Sequence, residues 1–136
     1  MNKRGFTLIE LLVVITIIGI LSAIVLVSLR GATNRAHDAR IVSDMDQIRS
    51  TAEIYYGNNN NSYSDLCSDS DVTNLANDIS NEGGANYECN ANATSYCVEV
   101  ELHNGDWWCV DSALRSKRYS SDPACDSSQS GTFSCE

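Results

Sequence analysis

A chain of 136 residues has room for one modest domain. Its apolar residues, 43% of the total, are concentrated at one end, which excludes an ordinary soluble protein. The net charge is −9, and residues 53–136 carry 14 acidic side chains against three basic ones. Such a surface repels phosphate backbones, so direct nucleic-acid binding is not expected, and the plain role of the acidity is solubility.

The chain opens Met1-Asn2-Lys3-Arg4-Gly5, a short basic leader. Phe6 to Leu29 then forms an apolar run of 24 residues in which Glu10 is the only charged member. As a helix it spans roughly 36 Å, enough for a bilayer core of ~30 Å. An ordinary secretory signal, with Lys3 and Arg4 as its basic region and a cut near Leu21-Ser22-Ala23, is too short for this run and leaves Glu10 unexplained. A plain membrane anchor explains the length but not the carboxylate. Charge bias does not set orientation, because Lys3 and Arg4 on one side face Arg30, Arg35 and Arg40 on the other.

Gly5 followed by Phe6-Thr7-Leu8-Ile9-Glu10 and an apolar helix closely resembles the leader and cleavage motif of type IV prepilins and type II secretion pseudopilins. The resemblance covers residues 1 to about 57 well and the rest only in outline. It implies that a membrane-embedded aspartyl peptidase cuts after Gly5 and methylates the new amine of Phe6. Gly5 leaves the scissile bond open, where a side chain would crowd the enzyme. Glu10, costly inside a membrane and therefore functional by default, is expected to pair with the Phe6 amine of its own or a neighbouring subunit and so set the register of assembly. Thr7 is expected to hydrogen-bond near the new terminus. Further partners implied are other copies of the chain in a helical filament, an inner-membrane assembly platform, and membrane lipid before assembly. The implied location is a bacterial cytoplasmic membrane, single-pass with the C-terminal part outside, then a pilus or periplasmic pseudopilus. In the family a glycine such as Gly19 borders a stretch that melts on assembly, with a proline eight residues later. Here that position is Val27, so the helix is expected to stay continuous. Gly31 marks either a bend or a tolerated helix glycine.

From Ala32 to Tyr56 the pattern is amphipathic, with Ala36, Ala39/Arg40, Ile41, Met45, Ile48, Ala52 and Tyr55/Tyr56 near helical spacing. The whole helix, Phe6 to about Tyr56, would be ~75 Å long. Two tyrosines are too few for an electron path. Gly57-Asn58-Asn59-Asn60-Asn61 ends it. Ser70 is a candidate cap for a short helix over Asp71–Ile79. Asp65, Asp69 and Asp71 share a loop without EF-hand spacing, so a solvated acidic loop is the better reading than calcium. Asn60-Asn61-Ser62 and Asn92-Ala93-Thr94 are acceptor sites only in a glycosylating host.

Tyr96, Val98, Val100 and Leu102 alternate with polar residues as in a strand, Asn104-Gly105 makes a hairpin turn, and Trp107-Trp108-Cys109-Val110 returns. The six cysteines, Cys67, Cys89, Cys97, Cys109, Cys125 and Cys135, read as disulfides in an oxidising compartment. No C-x-x-C pair favours zinc, and His37 and His103 read as surface residues. Cys125–Cys135, enclosing a Ser/Gly-rich loop, is the first expected bond. A two-residue turn would place Val100 opposite Cys109 and Cys97 opposite Ser112, on different faces, so Cys97–Cys109 is not expected. The other four then pair as 67–109 with 89–97, which is preferred, or as 67–97 with 89–109.

The fold expected is α+β: a leader at 1–5, a membrane or filament-core helix at 6–29, an amphipathic half at 30–57, and a disulfide-stapled domain at 58–136 with a small antiparallel sheet. No catalytic set, cofactor or metal site stands out. The competing reading is a membrane-anchored receptor or adhesin that does not polymerise and needs neither Glu10 nor cleavage after Gly5.

Overall fold

The computed structural model describes residues 5–125 and 133–135. Lys3 and Arg4 lie outside them. Helix α1 runs over Leu8–Asn58, through Gly19, Val27 and Gly31 without interruption. The chain divides into two compact units, Met1–Asn34 and Arg35–Glu136.

In the first unit the large apolar side chains from Phe6 to Leu29 are all exposed. The helix they belong to is long and apolar enough to cross a membrane. No second face covers it, because the sequence is apolar all round.

In the second unit α1 presents Ile41, Met45, Ile48 and Ala52 to the core, spaced four, three and four residues apart. Ala36, Ala39 and Arg40 are exposed, so the buried stripe begins later than its periodicity suggests. Asparagines, not Gly57, end the helix: Asn60 and Asn61 take positive φ values of 55° and 58°, and the Asn61 amide donates to the Tyr56 carbonyl at 3.0 Å. A 3-10 turn at Leu66–Ser68 leads to helix α2, Ser70–Asn81. Its cap is Asp69 rather than Ser70, since the Asp69 carboxylate accepts from the amides of Asp71 and Val72.

Four strands follow: β1 Ala85–Ala91, β2 Tyr96–Glu101, β3 Trp107–Asp111 and β4 Ser116–Tyr119. They form an antiparallel meander in the order β1-β2-β3-β4. Tyr96, Val98, Val100 and Val110 on one sheet face meet the α1 stripe, with Leu66, Val72 and Ile79 completing the core.

The β2–β3 hairpin corrects the expected register. Its loop has three residues, closed by Leu102 N–H to Asp106 O at 2.7 Å. Gly105 takes φ +83°, the left-handed position such a loop needs. Glu99 therefore faces Cys109, and Cys97 faces Asp111. The one-residue change puts Cys97 and Cys109 on the same outer face, two residues out of register.

The disulfides follow from that face. Cys67 bonds Cys89, Cys97 bonds Cys125, and Cys109 bonds Cys135. The absence of a Cys97–Cys109 bond agrees with expectation. The Cys125–Cys135 bond does not form, and neither set expected for Cys67, Cys89, Cys97 and Cys109 does. Instead of closing on itself, the C-terminal segment is fastened at both cysteines to adjacent strands. The outer face supplies a polar reason. Buried Glu99 accepts the Cys125 amide at 3.0 Å and buried Asp111 accepts the Cys135 amide at 2.9 Å. Those carboxylates need donors once covered, and the segment that covers them provides one to each.

Candidate functional site

The sequence places the candidate chemistry at the start of α1, where the geometry is local. Gly5, Phe6 and Thr7 precede the first helical residue, Leu8. The Gly5–Phe6 bond therefore lies in non-helical chain, and Phe6 is 73% exposed. A Cβ built on Gly5 meets nothing within 4 Å, so the chain itself does not require glycine there.

Thr7 and Glu10 form a reciprocal capping box. The Glu10 carboxylate accepts the Thr7 amide at 2.8 Å and the Thr7 hydroxyl at 2.6 Å. The Thr7 Oγ1 in turn accepts the Glu10 amide at 3.3 Å. Thr7 is the N-cap and Glu10 the third helical residue, the spacing this motif demands. The arrangement gives partners to helix-start donors that a bilayer cannot solvate. It also places a negative group at the positive end of the helix dipole. Thr7 thus has a concrete partner in Glu10, and both lie at the apolar end of the helix.

The other expected residues sit elsewhere. The six cysteines all belong to the second unit. Among the described residues one trio of potential ligand atoms lies within 4.8 Å, on Glu99, Cys109 and Cys125. Both of its sulfurs are in disulfides, which removes the thiolates a metal needs. Asp69 is engaged as the α2 cap, so its loop is explained without calcium.

Two groups escaped the sequence reading. Asp38 and Asp44 are buried on the same side of α1 as Ile41 and Ile48. The spacing could have revealed them, but a carboxylate was not expected on an apolar stripe. Glu99 is 2% exposed. Burial pushes its carboxyl up from 4.5 to about 7; the Cys125 amide opposes this, and the carboxylates of Asp122 and Glu88 add to it.

Comparison with known proteins bears on the N-terminal segment. The profile described as Prokaryotic N-terminal methylation motif matches residues 1–26. A Type II secretion system core protein G from Klebsiella michiganensis is 41% identical over 54 residues, covering 40% of this chain and 38% of that protein. The Type IV wide pilus major component PilA4 of Thermus thermophilus is 42% identical over 59 residues, 43% of this chain and 45% of its own. A Fimbrial protein of Pseudomonas aeruginosa is 43% identical over 51 residues, 38% of this chain and 33% of its own. The chain spans less than half the length of these curated relatives. No solved structure matches it. In its N-terminal segment, the chain is similar to type IV pilins and type II secretion pseudopilins.

Proposed function

We propose that the chain is a structural subunit of a pilus or pseudopilus, made as a membrane-inserted precursor. A prepilin peptidase cuts after Gly5 and methylates Phe6, with Lys3 and Arg4 as the leader charge it meets. The subunit then leaves the lipid and enters a helical filament through its apolar helix, at an inner-membrane assembly platform. The second unit faces outward from the membrane. The observation that carries this reading is the Thr7–Glu10 capping box at the head of an apolar helical segment whose large side chains, to Leu29, are all exposed.

The chemistry is an exchange of partners. Before assembly, the Glu10 carboxylate accepts from the Thr7 amide and hydroxyl. Cutting after Gly5 creates a cationic amine at Phe6, and one methyl group leaves that nitrogen protonatable. Among packed apolar helices an uncompensated charge is heavily penalised. A charge-assisted bond from a neighbour's Phe6 amine is stronger than neutral hydrogen bonds. Glu10 therefore trades its cap for a neighbour, and only one axial offset brings the two groups together.

Intact mass of the assembled protein tests the processing. Loss of residues 1–5 plus one methyl group is the expected result. An uncut chain in the membrane, functional without Glu10, would instead mark a non-polymerising anchor.

A further inference from the structure

The pilin-like reading gives no role to the histidines, yet the fold brings both of them together. His37 lies on α1 and His103 in the β2–β3 loop, and their ring centroids are 5.7 Å apart with planes tilted by 31°. Each ring has its Nδ1 on a carboxylate: His37 on Glu82 at 2.7 Å and His103 on Asp38 at 2.8 Å. Asp38 Oδ1 also accepts the His103 amide at 3.0 Å, which fixes that ring twice.

We propose that His37 and His103 form a binding site for a divalent transition-metal ion of the zinc class, ligated through both Nε2 atoms and completed by water. An ionised carboxylate can only accept, so Nδ1 must be the donor in each neutral ring and the lone pair resides on Nε2. This carboxylate–histidine arrangement is the one that orients imidazoles for metal and raises their basicity. With Zn–N bonds of ~2.0–2.1 Å, an ion sits roughly 3.2 Å from each ring centroid, so shared rings stand at most about 6.4 Å apart and about 5.2 Å at the tetrahedral angle. The observed 5.7 Å falls between these limits.

Access and charge agree with this. The His37 side chain is 48% exposed and that of His103 is 23% exposed. A Cβ at residue 83 would stand 2.7 Å from His103 Nε2, so only glycine lets the chain lie this close against the ring. Asp38 and Glu82 each hold one ring, and Glu82 acts electrostatically on Asp44, while Arg40 is bound to Asp78 at 2.6 Å and to Asp44 at 3.5 Å. The local field is negative and favours a cation. A bound ion would tie α1, the end of α2 and the β2–β3 loop at one point.

The test is isothermal titration of the detergent-solubilised full chain with zinc chloride, and separately with calcium chloride. One equivalent of zinc should bind, and calcium, which takes oxygen ligands, should not displace it. His37→Gln and His103→Gln should each weaken zinc binding by at least about 30-fold, and Glu82→Gln by about tenfold through loss of ring orientation. Should His103→Gln fail to fold, the exposed His37→Gln decides alone. Zinc affinity unchanged in His37→Gln, or no saturable zinc binding by the parent chain, overturns the proposal. Neither outcome touches the pilin-like reading, since no filament is involved.

Discussion

The two units solve the same problem in opposite ways. From Arg35 onward, apolar side chains find partners within the chain: the α1 stripe meets the sheet, and three disulfides hold the periphery. Among the described residues before Asn34 no large apolar side chain does, and the surface from Phe6 to Leu29 is left to whatever surrounds it. The second unit is built to be stable alone in water. The first presents a surface that suits lipid and other apolar helices alike.

The sharpest way to break this contrast is at the leader. Gly5→Leu should leave the second unit folded but abolish cutting, with the full-length precursor retained in membranes on immunoblots. Mature-sized protein in normal amounts would mean that the glycine is not read by the peptidase. Next in size is Glu10→Ala. It makes the span more apolar, so insertion and cutting should persist. A buried charge left without its mate costs roughly 3–5 kcal/mol, and sheared filament yield should fall on the order of tenfold or more. Wild-type yield would end the pairing idea.

The second unit is probed through its staples. Cys109→Ser should lower its unfolding free energy by about 2–4 kcal/mol without impairing leader removal. Non-reducing peptide maps of the parent should give the linked pairs 67–89, 97–125 and 109–135. A 125–135 peptide would contradict the outer-face arrangement.

The smallest effect concerns Glu99. Its folded-state pKa, about 7, lies above its ordinary value of 4.5. The folded form therefore holds that proton more tightly than the unfolded chain. Its contribution to stability is greatest below pH 4.5 and declines as pH rises to about 7. Glu99→Gln should remove this slope. The variant should be more stable than the parent at pH 8.5 by about 1–3 kcal/mol, with little difference at pH 4.5, as read from denaturant melts. Parallel pH profiles for the two proteins would show that Glu99 does not titrate in this range.

What the sequence discloses depends on how local the cause is. Thr7 and Glu10 are three residues apart, a spacing legible in the chain, yet the sequence reading set Glu10 against the Phe6 amine and Thr7 near the new terminus rather than against each other. Ile41, Met45, Ile48 and Ala52 are legible from their helical spacing. The register of β2 against β3 hinged on whether Asn104-Gly105 closes a two- or a three-residue loop, and either is compatible with that pair. That one residue moved Cys97 and Cys109 to a common face, where each takes one cysteine of the C-terminal segment instead of leaving Cys125 and Cys135 to each other. Strand β1 offers no clean alternation, and a register shift between Ala85 and Glu88 interrupts its pairing with β2. His37 and His103 lie 66 residues apart, beyond any spacing rule.

The order in which the cysteines occur has a consequence for how the protein matures. When synthesis has passed Tyr119, all four strands are available but Cys125 and Cys135 are not. Cys97 and Cys109 then face the same side of a sheet as free thiols, a situation that invites misoxidation. Their register works against it. Cys97 stands opposite Asp111 and Cys109 opposite Glu99, so the two cysteines are diagonal neighbours, roughly 7–8 Å apart. A disulfide needs Cα atoms within about 7 Å. A bond straight across the strands is thus disfavoured, and the last segment supplies a partner for each cysteine.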